Sequence, residues 1–401
     1  MKKTISVVLA AAMAATALAG CGGSKQEAAP TTQAAQAAET EAEKETEASG
    51  QEEEPAETEA EGSSEPLKVV YLVNGNLGDK GFYDSAASGI KQMEEKLGAE
   101  TKIIEMGRDE TSYEGNYLDV SEQDWDMIIS GTWSVKELAE QIAAEFPDKN
   151  YMFFDGEVDY GVVVDGNMMG VNYYSNQGAF MAGCLAARML ESGDEKIDAS
   201  QKVLGFVGSM DTANINDFLV GYLEGIQYID PEIKVMTSYV GSFEDVSKCM
   251  EMTTQLYNQG AQIVYAPASQ SILGAVTAAS NEDKYLIACD QDIYSQLVES
   301  DPDLAKCVLS SSLKNVGDSL YTAVEGFVNG TMTTDQNYTL GLDSGAVGLA
   351  KNENYEAIVP EDIRKEMEEI EGKVISGEIT VGTAFTMSTD EVAALRDGMK
   401  P

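Results

Sequence analysis

The chain has 401 residues, a hydrophobic fraction of 43% and a formal net charge of −43. That length holds two domains of ordinary size, and the acidity excludes a nucleic-acid partner, because phosphate recognition needs a basic face. Histidine is absent, which removes His-based triads, His general bases and most zinc sites together.

At the N-terminus, Lys2 and Lys3 precede an apolar stretch from Thr4 to Leu18. The stretch is too short and too alanine-rich for a comfortable membrane span, and it ends in small residues as signal peptides do. Its ending, Leu18-Ala19-Gly20-Cys21, resembles a bacterial lipobox. Residues 1–21 are therefore expected to be a lipoprotein signal peptide, with Cys21 lipidated as the first residue of the mature protein. Two acyl chains on one cysteine suffice for stable anchoring. The expected location is the outer face of the cytoplasmic membrane, tethered rather than spanning. Residues 22–66 are rich in Ala, Glu, Thr, Gln and Ser with almost no large apolar residue. Such a segment cannot bury enough surface to offset its ordering entropy, and mutual repulsion of its glutamates extends it. It reads as a disordered acidic spacer.

From Leu67 onward, short apolar runs alternate with amphipathic ones. Strands are expected at Val69–Val73, Lys102–Glu105, Met127–Ser130, Tyr151–Phe154, Val203–Val207, Val235–Tyr239, Ile263–Tyr265, Tyr285–Ala288 and Cys307–Ser310. Helices are expected over Ser85–Leu97, Val135–Glu145, Gln177–Leu190, Asn214–Ile229, Asp245–Asn258, Ile272–Ala279, Val316–Asn329 and Pro360–Ile375. This alternation predicts an α/β protein with parallel sheets covered on both faces. The strands are too many for one sheet and the pattern restarts near residue 203, so two doubly wound lobes joined by a hinge are expected. Lobe 1 is assigned residues 67–172 plus a returning segment of about 312–335. Lobe 2 is assigned 173–311 plus part of 336–401. The remaining cysteines, Cys184, Cys249, Cys289 and Cys307, show no C-x-x-C pairing and point to no metal site; a disulfide among them cannot be paired from spacing.

The residues at the strand carboxyl ends are informative. Gly78-Asp79-Lys80-Gly81-Phe82-Tyr83-Asp84 comes after the first strand, Gly131-Thr132-Trp133-Ser134 after the third, and Asp290-Gln291-Asp292 after the strand ending at Cys289. Glycines and serines are ordinary βα-turn residues. Aromatic and acidic side chains at strand carboxyl ends are less so, and open α/β sheets bind small ligands at those ends. Phe82, Tyr83 and Trp133 are candidates to stack on a flat ring or sugar face. Asp290 and Asp292, two residues apart on a strand, are candidates to accept hydrogen bonds from neighbouring hydroxyls. The G-x-S-x-G elbow, the G-x-x-x-x-G-K-[ST] phosphate loop and a G-x-G-x-x-G helix opening are all absent. With no nucleophile, no cofactor motif and no metal cluster, the expectation is a binding protein and not an enzyme.

These motifs, in order, resemble the basic membrane protein family of ABC-transporter substrate-binding lipoproteins, which includes purine-nucleoside receptors with the type I periplasmic-binding-protein fold. The resemblance runs from about Lys68 to about Ala346. It is carried by the Gly78–Ser85 loop, similar to the family's D-x-[GS]-F-N-x-[SA], and by Ile128-Ile129-Ser130-Gly131-Thr132. Phe146-Pro147-Asp148 and Phe153-Phe154-Asp155, Gly178-Ala179-Phe180-Met181-Ala182-Gly183, and Phe218 with Gly221-Tyr222-Leu223-Glu224-Gly225 add to it. Asp290-Gln291-Asp292 with the later Ser311-Ser312-Leu313-Lys314-Asn315 completes the set. The resemblance implies that Asp79 and Phe82 contact a base, that Phe218 closes on it from the other lobe, that Asp290 or Asp292 holds ribose hydroxyls, and that Lys314 lies near the hinge. It also implies a monomeric receptor, without cofactor, that passes a nucleoside-like small molecule to an ABC permease. A sensor lipoprotein feeding a membrane signalling receptor and an exported nucleoside or glycoside hydrolase are the alternatives. Two departures stand out. Tyr83 replaces an asparagine that bonds the ligand, and Pro267 and Ser269 replace a glycine-rich A-G-x-x-G loop. A phenol cannot reproduce an amide's paired donor and acceptor.

Overall fold

The computed structural model describes residues 65–79 and 81–401. The expected signal peptide with Cys21, and the expected linker as far as residue 64, lie outside the described residues. The described chain is one compact unit built on two six-stranded sheets. The first holds β1 (Lys68–Val73), β2 (Glu100–Glu105), β3 (Met127–Gly131), β4 (Tyr151–Phe154) and β5 (Met168–Tyr173). The second holds β6 (Val203–Gly208), β7 (Lys234–Tyr239), β8 (Ile263–Tyr265), β9 (Tyr285–Asp290) and β10 (Val308–Lys314). The chain then adds β11 (Asn337–Leu340) to the first sheet and β12 (Val347–Leu349) to the second.

The orders are β2-β1-β3-β4-β5-β11 and β7-β6-β8-β9-β10-β12, so the two sheets share one topology. Every pairing is parallel except β10 with β12. In each sheet the order reverses beside the first strand, between β1 and β3 and between β6 and β8. Ligand crevices form at such switch points, outside the strand carboxyl ends. The strands read as continuous apolar runs because helices cover both faces. In β1, Val69, Tyr71 and Val73 face one core, while Val70 and Leu72 face another, formed with Tyr117, Ile128 and Phe153; this is the period of two expected of a strand.

The chain crosses between lobes three times: between Tyr173 and Ser175, between Lys314 and Val316, and between Leu340 and Val347. The segment returning to the first lobe runs from Val316 through β11, later than the expected 312–335. The shift arises because β10 outlasts the apolar run Cys307–Ser310. Its residues Ser310, Ser311 and Ser312 are almost fully buried, and Ser310 Oγ donates to Ala350 O at 2.9 Å, so polar residues continue the strand. The expected helix at Ser85–Leu97 begins earlier, at Phe82, which moves Phe82 and Tyr83 from a loop to a first helical turn. The unforeseen helix Thr389–Gly398 starts with a capping box in which Ser388 and Glu391 satisfy each other's backbone.

The segments Gly178–Gly183 and Gly221–Gly225, prominent in the sequence, meet each other. They lie on helices Ser175–Met189 and Ala213–Ile229, which pack face to face. A Cβ on Gly221 would collide with the carbonyl of Asn176, and one on Gly183 with the carbonyl of Tyr222. Gly221→Val is expected to lower stability by about 1–3 kcal/mol, the usual cost of overpacking. Urea denaturation monitored by circular dichroism measures it; an unchanged midpoint would mean the helices can separate at no cost.

Candidate ligand-binding cleft

The carboxyl ends of both sheets face a common cavity of about 330 Å³. Lobe 1 supplies Asn74, Asp79, Phe82 and Tyr83 after β1, Arg108 and Tyr113 after β2, Thr132–Ser134 after β3 and Asp155 after β4. Lobe 2 supplies Phe218 after β6, Phe243 and Glu244 after β7, Ser269 and Gln270 after β8, Asp290 ending β9 and Lys314 ending β10. Among the described residues five non-glycines have left-handed φ, and four of them line this cavity: Thr132 (78°), Asp155 (60°), Ser269 (50°) and Asp290 (67°). Such backbone carries an energetic cost and concentrates at functional sites.

Lys314 sits at the centre. It is 6% exposed, and its Nζ donates to Asp155 Oδ1 at 2.7 Å, tying the end of β10 in lobe 2 to the end of β4 in lobe 1. The ammonium also lies 5.7 Å from the ring centre of Phe82, 5.4 Å from that of Phe218 and 5.4 Å from that of Tyr173, within cation–π range. Burial alone would lower the Lys314 pKa, but Asp155 and Asp290 overcome that, and it stays above its ordinary value. Asp290 shows the opposite balance. Burial pushes its carboxyl up, and the attraction of Lys314 only partly offsets this. Among the described residues its carboxylate has one weak protein donor, the Cys289 thiol at 3.6 Å. One cation thus serves two carboxylates, and the second keeps acceptor capacity facing the cavity.

The aromatic wall is equally specific. Phe82 stacks on Phe154 with centroids 5.4 Å apart and an interplanar angle of 27°, and meets Tyr83 edge-on at 5.6 Å. Phe218, 4% exposed, lines the same cavity from the helix Ala213–Ile229 of the other lobe. Tyr83 donates its hydroxyl to Asn74 O at 3.2 Å, and its ring lies where a side chain on Gly75 would have to go. Burial lifts the Tyr83 phenol to about 12, so it remains a neutral donor committed to the backbone. Trp133 stands on the rim, 60% exposed.

Two acidic candidates have other employment. Both oxygens of Asp79 accept backbone N–H groups, from Gly81, Tyr83 and Asp84, each at 3.0 Å. Asp79 therefore holds the start of the helix that presents Phe82, with little capacity left for a ligand. Asp292 is outside the cavity lining. Its carboxylate caps the helix Ile293–Leu297 through Ser295 N at 3.2 Å and Ser295 Oγ at 2.6 Å, and accepts from Asn352 at 2.8 Å. The expectation that Asp290 and Asp292 share a strand face fails because the strand ends at Asp290, whose left-handed φ turns the chain away. Sequence reasoning noted Asp155 only within Phe153-Phe154-Asp155 and gave it no role, although it comes after β4 much as Asp290 ends β9; the structure makes it the partner of Lys314. It missed Arg108 and Glu244, whose ion pair joins the lobes at the cleft. The four cysteines are buried and unpaired. Among the described residues no acidic or sulfur cluster suits a metal ion, and no helix is long and apolar enough to cross a membrane.

Comparison with known proteins agrees with this architecture. The family described as Bmp, ABC transporter substrate-binding protein PnrA-like, matches residues 67–380, extending past Ala346, where the motif resemblance fades. Basic membrane protein A2 of Borrelia garinii subsp. bavariensis is 27% identical over 317 residues, covering 78% of this chain and 88% of its own. Basic membrane protein D of Borreliella burgdorferi is 28% identical over 323 residues, covering 80% and 89%. Among solved structures, an ABC transporter solute-binding protein from Aeropyrum pernix K1 superposes with a TM-score of 0.66 at 23% identity, covering 83% of this chain and 98% of that one. That likeness shows the two-lobed fold; the family match spans both lobes and most of the C-terminal segment. The chain belongs to the PnrA-like Bmp family of ABC-transporter substrate-binding proteins.

Proposed function

We propose that this protein captures a nucleoside-like or related hydroxylated ring compound between its lobes and delivers it unchanged to an ABC permease. The observation that carries this is the arrangement around Lys314. Aromatic rings from both lobes flank one ammonium, beside an Asp290 carboxylate with no strong protein donor among the described residues. A planar ring stacks between Phe82 and Phe218, and vicinal hydroxyls donate to Asp290 in charge-assisted bonds. The nearest carboxylate to the ammonium is already bonded, so Lys314 orients the site rather than serving as a nucleophile. Closure of the lobes about the three crossings is the motion that would present a loaded surface to the permease.

We infer that Cys21 carries the lipid anchor and that the acidic segment before residue 67 spaces the lobes from the outer face of the membrane. Tyr83 modifies the family's recognition of the ring. With its hydroxyl on the Asn74 carbonyl, it offers the ligand an aromatic edge instead of an amide. Discrimination between bases by paired hydrogen bonds at this position is therefore reduced, and packing selects the ring.

Calorimetry with adenosine, inosine, guanosine, uridine and ribose tests this proposal. At least one nucleoside is expected to bind, ribose to bind much more weakly, and Asp290→Ala to weaken the nucleoside by roughly 1.5–3 kcal/mol, the worth of hydrogen bonds to a charged group. Absence of binding across the panel, or an unchanged affinity in Asp290→Ala, would contradict the site. A pH series gives a second check. Ionised Asp290 accepts hydroxyl protons and the protonated form does so poorly, so affinity should fall on acidification. Because burial raises the Asp290 pKa, the fall should begin above the ordinary aspartate value of about 3.9. Asp290→Asn should remove that pH dependence; a wild-type profile flat down to ordinary carboxylate pKa values would argue against it.

A further inference from the structure

A second cavity, of about 750 Å³, opens between the lobes on the hinge side of the first. Trp133, Asp155 and Asn214 line both, so the two cavities adjoin at these residues. Three aromatic side chains stand exposed around the second cavity: Trp133 of lobe 1 (60%), Tyr174 at the first crossing (43%) and Phe385 of the C-terminal segment (51%). Phe385 is held in place by its own chain, because the backbone just before it is clamped to lobe 2. Asp217, itself 1% exposed, accepts from Thr383 Oγ1 at 2.6 Å and Ala384 N at 3.0 Å, and its other oxygen takes Asn176 N at 3.1 Å. Asn176 Nδ2 donates to Gly382 O at 2.9 Å, and Gly382 N to Glu224 at 2.7 Å. A segment held this firmly, ending in a half-exposed phenylalanine over a cavity, is a wall with an unfilled stacking face.

The charges restrict what fills it. Among the described residues the one lysine of the second cavity, Lys136, is bound to Glu140 at 2.6 Å. Carboxylates Asp155, Glu157, Asp159 and Asp217 surround the rest. A phosphate or other anion would meet repulsion and no available cation among these side chains; an uncharged ring would meet aromatic faces and the amides of Asn172 and Asn214.

We propose that the ligand of this protein is an extended one: a nucleoside-like ring between Phe82 and Phe218, joined to a second, uncharged ring that occupies the hinge-side cavity against Trp133, Tyr174 and Phe385. This rests on the nucleoside-like reading of the inner cavity and makes the substrate class larger than a simple nucleoside. The test is calorimetry on the purified protein with adenosine, adenosine 5′-monophosphate, N6-benzyladenosine and 5′-deoxy-5′-(benzylthio)adenosine, the last two placing a benzyl ring at opposite ends of the nucleoside. One benzyl compound is expected to bind about tenfold tighter than adenosine, the worth of one stacked ring, and the monophosphate more weakly. Phe385→Ala, on the surface and outside the inner cavity, should abolish that gain and leave adenosine affinity within about twofold. If adenosine binds but neither benzyl compound improves on it, or if the gain survives in Phe385→Ala, the extended-ligand inference is overturned while the nucleoside reading stands. If none of the four compounds binds, the extended-ligand inference is overturned, and the nucleoside reading fails with it only when inosine, guanosine and uridine also give no binding.

Discussion

The cleft depends on one buried charge. Lys314 ends a strand of the second lobe, directly before the chain recrosses to the first, and its ammonium bonds Asp155 of that first lobe at 2.7 Å. Taking an ammonium out of water is costly unless its partners are well placed, and removing one partner of such a pair typically costs about 3–5 kcal/mol. The arrangement fixes the spacing of the two lobes at their hinge end. It also leaves the site with one cation for two carboxylates, Asp155 and Asp290. Such a centre favours a ligand that brings hydroxyl donors and repels one that brings additional negative charge. In the proposed function, ring selection and hydroxyl selection therefore originate at one point, since the ammonium that pairs with Asp155 also lies near Phe82 and Phe218.

The backbone supports the same centre. Thr132, Asp155, Ser269 and Asp290 adopt a conformation that glycine accepts without strain and these residues do not. Two of them present carboxylates into the cleft. Thr132 accepts the Asn74 amide at 2.6 Å, and Asn74 O in turn receives the Tyr83 hydroxyl. Strand-end strain, the Asp79 helix start and the tyrosine network together hold the Phe82 ring before any ligand arrives. Preorganisation of this kind reduces the ordering cost of binding.

The fold was legible in the sequence because its signals are redundant. Buried parallel strands require apolar runs and their covering helices require amphipathic ones, so two doubly wound lobes could be read from alternation alone. Strands without a clean apolar run were not legible. β5, Met168-Met169-Gly170-Val171-Asn172-Tyr173, lies among polar and turn residues, and β11 is only partly buried along its length, so neither shows a strong apolar contrast. In the cleft, Asp79, Phe82, Tyr83, Trp133, Phe218, Asp290 and Lys314 all line one cavity, whereas Asp292 does not. Residue type and position at a strand end were sufficient to propose Phe82, Tyr83, Trp133 and Asp290, whereas Asp79, Phe218 and Lys314 came from the resemblance to the family. Type and position could not assign roles, because a carboxylate one turn from a helix start serves equally well as a cap. Asp79 and Asp292 both took that use. Asp155 and the Arg108–Glu244 pair join residues far apart in the chain, and no local pattern announces such partners.

Type I lobes of this kind are reused for many ligands, so the fold alone does not settle what this chain carries. Our proposal narrows it, from the chemistry of the cleft, to an uncharged, hydroxylated ring compound. The most direct test is the crystal structure of the protein as isolated, with mass spectrometry of any small molecule released on unfolding. The predicted result is a planar ring between Phe82 and Phe218 with its hydroxyls on Asp290, and a released mass belonging to a nucleoside-like compound. A bound anion, a peptide, or a ligand that leaves both phenylalanine rings and Asp290 untouched would contradict it.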